Sequence, residues 1–185
     1  MNAFWSYFWP AIGLGLIFGI LASSLAFRVR IVRVPERPNE PTLIARPRRK
    51  RISLLAAGAL AAVLAAALWH GPLGAADRFA REVEQVARQA LIYNEIPEVS
   101  GHLHHGPLTR RLLLSGPADD FQRNELVIVM DQVPGVESVS WSKEGGGGTP
   151  LIVEGALVAL LGFLFGLLVA YLRELRRRYN AEWKW

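Results

Sequence analysis

Hydrophobic and polar positions alternate along this chain on a coarse scale. Residues 4–27, 52–69 and 151–172 are long apolar runs, and residues 71–149 form the only long polar segment. The first run has 24 residues without a charge. At about 1.5 Å per helical residue it reaches roughly 36 Å, more than a ~30 Å hydrocarbon core needs. The second has 18 residues, near the lower limit for crossing, and the third has 22 with a single charge, Glu154. The pattern predicts three transmembrane helices with a small folded domain between the second and the third. A cleaved secretory signal is the competing reading of the first run, but residues 1–10 lack Lys and Arg and no clear small-residue cleavage site follows.

Within the polar segment the period changes from element to element. Phe79, Val83, Val86 and Ala90 recur at helical spacing, predicting an amphipathic helix over 75–94 that Ile96-Pro97 ends. Residues 99–104 and 112–115 read as short strands joined by a turn over 105–111. Asp119 or Asp120 can cap a second helix over about 121–132, and Pro134-Gly135 stops it. Residues 136–141 alternate and read as a third strand. The predicted fold class is α+β: three transmembrane helices carrying an αββαβ domain, with its helices on one face of a small sheet.

The run Leu112-Leu113-Leu114-Ser115-Gly116, a polar helix start, and then Val133-Pro134-Gly135-Val136-Glu137-Ser138-Val139 resembles the BON-domain family over about residues 75–142. Gly116, Gly135, Val136 and Val139 match its serine-glycine step and its Gly-Val-x-x-Val closing strand, and the preceding helix fits. The turn from Gly106 to Leu112 is longer than the family's usual tight hairpin. The resemblance implies an envelope-facing module without catalytic residues that contacts phospholipid or protein. Apart from any family, Gly135 stands where the chain reverses from helix to strand, a place that suits a residue without Cβ.

Charge divides the chain. Residues 28–51 hold nine basic and two acidic residues, a net of +7 in a short Pro-rich loop; residues 173–185 carry +3. Residues 71–149 hold eleven acidic and seven basic residues, a net of −4. Short loops rich in Lys and Arg stay on the cytoplasmic side. The expected topology is therefore multi-pass in a bacterial inner membrane, with the N-terminus and the domain periplasmic and the C-terminus cytoplasmic. The prolines oppose regular structure, so an extended loop is expected. Arg46, Arg48, Arg49, Lys50, Arg51, Trp183 and Trp185 are candidates for contact with lipid or a partner. Aromatics are not interleaved with the basic residues, which disfavours nucleic acid.

Ala11, Gly15, Gly19 and Ser23 recur every four residues, and Gly155, Ala159, Gly162 and Gly166 make similar steps in the third run. Such stripes let helices approach closely, either within this chain or against another subunit. The Ala-rich second run is expected inside a bundle. Leu113, Phe121, Val127 and Ile128 exceed what one buried face needs and mark a candidate partner surface; the alternative has Phe121 folding under the sheet.

Chemistry is sparse. The absence of cysteine excludes disulfides and thiolates. His102, His104 and His105 lack an obvious third ligand and read as solvated. His70 reads as an interfacial histidine rather than an axial ligand. Glu154 reads as a carboxylate at a helix N-terminus that reaches the headgroups, without the depth or partner of a proton relay. Residues 143–149 read as a Gly-rich tether and lack the Lys-Ser/Thr step of a phosphate loop. No cofactor, metal, catalytic constellation or small-molecule substrate is indicated, and a polar intramembrane centre such as a transporter needs is missing. The expected role is a noncatalytic structural or accessory subunit of an inner-membrane assembly beside other integral subunits, with respiratory and photosynthetic complexes as hosts of that kind. The alternative is an envelope-maintenance protein that binds phospholipid through the BON-like domain.

Overall fold

The apolar runs become helices longer than the runs themselves. The structure is a computed structural model describing residues 2–33, 41–141 and 148–183. Its elements are α1 (Ala3–Phe27), β1 (Arg30–Arg33), β2 (Pro41–Ile44), α2 (Arg48–His70), α3 (Ala75–Tyr93), β3 (Ser100–Leu103), β4 (Arg111–Ser115), α4 (Asp120–Asp131), β5 (Ser138–Trp141) and α5 (Leu151–Trp183). Among these, α1, α2 and α5 are long and apolar enough to cross a membrane. The fold is mixed α/β, with a three-stranded sheet in the segment between α2 and α5.

The helix limits differ from the sequence expectation at two places. Helix α2 begins at Arg48, not residue 52, so Arg48, Arg49, Lys50 and Arg51 form its first turn, directly after Pro47. Cations there oppose the helix dipole, which is why the local sequence reads as loop; Arg48, Arg49 and Lys50 are exposed, where solvent screens them, and Arg51 is partly buried. Helix α5 continues through the expected tail to Trp183. Leu, Arg and Glu are good helix formers, and Glu174 pairs with Arg177 and Arg178 one turn on.

The loop before α2 is not simply extended. β1 and β2 pair antiparallel, with Arg30 opposite Ile44 and Arg33 opposite Pro41. Ile31, Val32, Thr42 and Ile44 favour strands, and Pro41 occupies the first strand position, where its missing N–H is tolerated.

The chain divides into two units. One joins Met1–Pro10 to Ala67–Gly155, and the other joins Ala11–Ala66 to Ala156–Trp185. In the first, α3, β3, β4, α4 and β5 follow in the order the period changes predict. β4 is central, antiparallel to β3 and parallel to β5, with α4 as the crossover. Asp119 caps α4, accepting from the Gln122 N–H at 2.7 Å while Gln122 returns a bond to the Asp119 N–H.

Phe79, Val83, Leu91, Leu103, Leu112, Leu114, Leu126 and Met130 are buried in this unit's core. The inward stripe of α3 runs Phe79, Val83, Ala87 and Leu91; Val86, expected to face inward, is 39% exposed. Hydrophobicity favours Val over Ala, but the face that docks is set by the residues four apart from Phe79 and Val83.

Two turns admit only glycine. Gly116 has φ +142, and a Cβ there would stand 2.7 Å from the Glu98 carbonyl oxygen. Gly135 has φ +105, with Val83 Cγ2 at 2.9 Å from the same added atom.

Candidate functional site

The small-residue stripes belong to the second unit, except Gly155, and there they meet each other. A Cβ on Gly15 would overlap the Ala159 carbonyl oxygen, and one on Gly19 the Phe163 oxygen. From the opposite helix, Gly162 abuts Ile12 and Gly166 abuts Leu16 in the same way. Ala11 and Ala159 are buried, and Ser23 Oγ donates to the Leu167 carbonyl at 3.2 Å. α1 and α5 thus touch backbone to backbone, a contact with no room for side chains. Of the predicted packing positions, Gly15, Gly19, Ser23, Ala159, Gly162 and Gly166 lie in this contact, so it is internal to the chain. Gly58 of α2, missed in the sequence, fits against Ala22 and Phe163. In an Ala-rich helix one small residue carries no distinguishing signal.

α2 is not enclosed within this chain. Only 11% of its apolar stretch is buried, against 33% of α1's and 28% of α5's. Ala62 and Ala66 face inward, while Leu60, Leu64 and Leu68 are exposed.

In the first unit the ends of the three long helices hold the αββαβ module directly. Tyr7 Oη lies 2.7 Å from His70 Nδ1 and donates to the Leu151 carbonyl at 3.3 Å. Trp69 Nε1 donates to the Tyr7 carbonyl, and the Tyr7 ring packs on Phe79. Gly155 is the point where α5 passes the Tyr7 hydroxyl, 2.9 Å from where a Cβ would stand. Ser6 Oγ donates to Glu82 of α3.

Arg110 is the largest tie. Its Nη1 lies 3.0 Å from Glu154 Oε2, its Nε donates to the Gly135 carbonyl at 3.1 Å, and its guanidinium sits over the Phe4 ring. Glu154, expected to reach toward headgroups without a partner, is instead paired, and its side chain is 15% exposed. The cause is a bridge from Thr109 to Pro150, with Leu151 N–H donating to Leu108, which draws the start of α5 onto the turn before β4. The expected tether at 143–149 lies outside the described residues except for Gly148 and Thr149, and Gly148 packs on Thr109.

The predicted partner set divides between two surfaces. Trp141, which shares a sheet face with Leu112 and Leu114, donates to the Arg123 carbonyl of α4, so α4 covers that face. Leu113 points to the opposite face, in register with His102 and Ser140. Phe121 and Ile128 lie two turns apart on the outer side of α4, 74% and 58% exposed, with Val127 half-buried beside them. Phe121 does not fold under the sheet. Arg111 extends along the Leu113 face and donates to Ser140 Oγ at 2.7 Å.

Among the histidines, His102 Nδ1 and His105 Nε2 lie 3.9 and 3.7 Å from Glu84 Oε1, and His104 Nδ1 lies 3.2 Å from the Pro107 carbonyl. Glu84 accepts the Leu103 N–H at 2.9 Å. No cluster of three His, Cys, Asp or Glu placed for a metal ion occurs among the described residues.

The basic residues gather at the other end of the long helices. Arg51 Nε donates to the Arg46 carbonyl, Arg178 donates to the Phe27 carbonyl at the end of α1, and Glu174 accepts the Val29 N–H. The bond to Phe27 satisfies a carbonyl that the end of α1 leaves open, and the bond from Val29 N–H holds the chain just after it. The Trp183 side chain and Trp185 lie outside the described residues. No protein-family model matches this chain, and neither do the curated proteins or the solved structures.

Proposed function

We propose that this protein is a noncatalytic accessory subunit of a bacterial inner-membrane assembly that presents its αββαβ module to a protein partner on the periplasmic side. The observation that carries this reading is the outer face of α4, where Phe121 and Ile128 stand exposed on a helix whose opposite face already fills the core. Exposed large apolar residues at helical spacing beside a polar surface suit a partner contact. The exposed leucines of α2 offer a second helix surface to neighbouring integral subunits, and respiratory or photosynthetic complexes are hosts of this kind. Within the first unit, Arg110 on Glu154 and the Tyr7 ring on Phe79 tie the module to the starts of α5 and α1, which supports an anchored interaction module.

Envelope maintenance through a BON-like module is the second reading. It is favoured by the order of the five elements and by the backbone demand for glycine at positions 116 and 135, both part of the resemblance. Against it, the module segment carries a net charge of −4, which repels anionic headgroups. Purification of the tagged full chain in mild detergent from its native membrane tests the two. A fixed stoichiometry with other membrane proteins supports the subunit. Isolation as a single chain whose periplasmic module retains phospholipid refutes it.

A further inference from the structure

At the basic end of the second unit, three arginines from three segments line one cleft. Arg28 follows the end of α1, Arg46 precedes α2, and Arg177 lies on α5. The cleft has a volume of about 620 Å³, and its remaining lining is largely apolar, with Val29, Ile44 and Pro47. Among the described residues no acidic side chain lines it. Glu174, the nearest carboxylate on α5, is 13% exposed and engaged with the Val29 N–H, Arg177 and Arg178.

We propose that this cleft binds the phosphodiester headgroup of an anionic glycerophospholipid. Three features select that class. The cleft lies where helices long enough to span a membrane end, the depth at which headgroups sit. Guanidinium groups recognise phosphate oxygens with paired donors, and basic pockets at helix ends attract anionic lipid. The apolar flank lets the glycerol and the first acyl carbons leave the site without crossing charge, whereas a free anion gains nothing from it. The volume is in the range of small-molecule sites. The α1–α5 contact and the bonds from Arg178 and Glu174 keep two of the three walls in place.

The test uses the full chain in dodecyl maltoside, titrated with phosphatidylglycerol and read by native mass spectrometry. Arg28→Gln/Arg46→Gln removes two of the arginines and spares the Glu174 pairs. Each surface cation near a lipid headgroup is worth about fivefold, so this variant is expected to bind roughly 25-fold more weakly. Arg173→Gln/Arg176→Gln removes the same charge from α5 outside the cleft and is expected to change binding less than twofold. Equal loss in both variants, or no loss in the first, overturns the site. Equal affinity of the wild-type chain for phosphatidylcholine overturns the anion selectivity. Displacement of phosphatidylglycerol by millimolar inorganic phosphate would make the source a soluble anion and overturn the lipid assignment; no displacement is expected.

Discussion

Arg110 Nη1 and Glu154 Oε2 lie 3.0 Å apart, joining the turn before β4 to the first turn of α5. Both side chains are mostly shielded, at 19% and 15% exposure. Removing one partner leaves the other partly buried without its counter-charge. Glu154→Gln is expected to destabilise the chain by about 2 kcal/mol in detergent unfolding. Arg110→Met should cost more, because the bond to Gly135 is also lost. The double variant should cost clearly less than the sum of the two. Additive costs would show that the pair does not couple.

Gly135 and Gly106 both have positive φ, but only Gly135 has neighbours where a Cβ would go. Gly106→Ala is expected to cost about 1 kcal/mol from backbone conformation alone. Gly135→Ala should cost about 2 kcal/mol more from overlap with Val83 and Phe79. Limited proteolysis of the module ranks the two, and equal protection in both variants would contradict the close approach.

Helix contact at Gly15 can be separated from general effects on insertion with Gly13, which has no neighbour within 4 Å of an added Cβ. Gly15→Leu is expected to lower the Tm in detergent by many degrees, and Gly13→Leu to leave it nearly unchanged. A similar response in both would mean that α1 and α5 do not pack through this stripe.

Phe121→Asp/Ile128→Asp changes two exposed positions, so the isolated protein should unfold within about 0.5 kcal/mol of wild type. Its copurifying partners should be lost. Retention of the full set in this variant would remove α4 as the contact surface.

The chain has no cysteine, so single introduced thiols report side without background. Asp77→Cys should react with a membrane-impermeant maleimide added outside intact spheroplasts, and Arg48→Cys only after permeabilisation. The reverse pattern would invert the proposed topology.

Patterns confined to a few turns of chain were legible before folding. Three apolar runs, the period changes of the module and a cap at Asp119 or Asp120 each sit in a short window, and local periodicity encodes local structure directly; the structure chooses Asp119. Small residues every four positions announced close helix approach, but only packing showed that α1 and α5 supply each other's partner. The start of α2 at Arg48 escaped because its charges oppose a local helical preference that continuity with the apolar run outweighs. Arg110 with Glu154 and Tyr7 with His70 are separated by 44 and 63 residues, and no local rule pairs them. Their meeting depends on how strand and helix ends converge in space. The sequence by itself therefore determined which segments are long and apolar enough to cross a membrane and which form the module. Tertiary structure alone decided which polar groups at the helix ends find one another, because that pairing is set by three-dimensional proximity rather than by spacing along the chain.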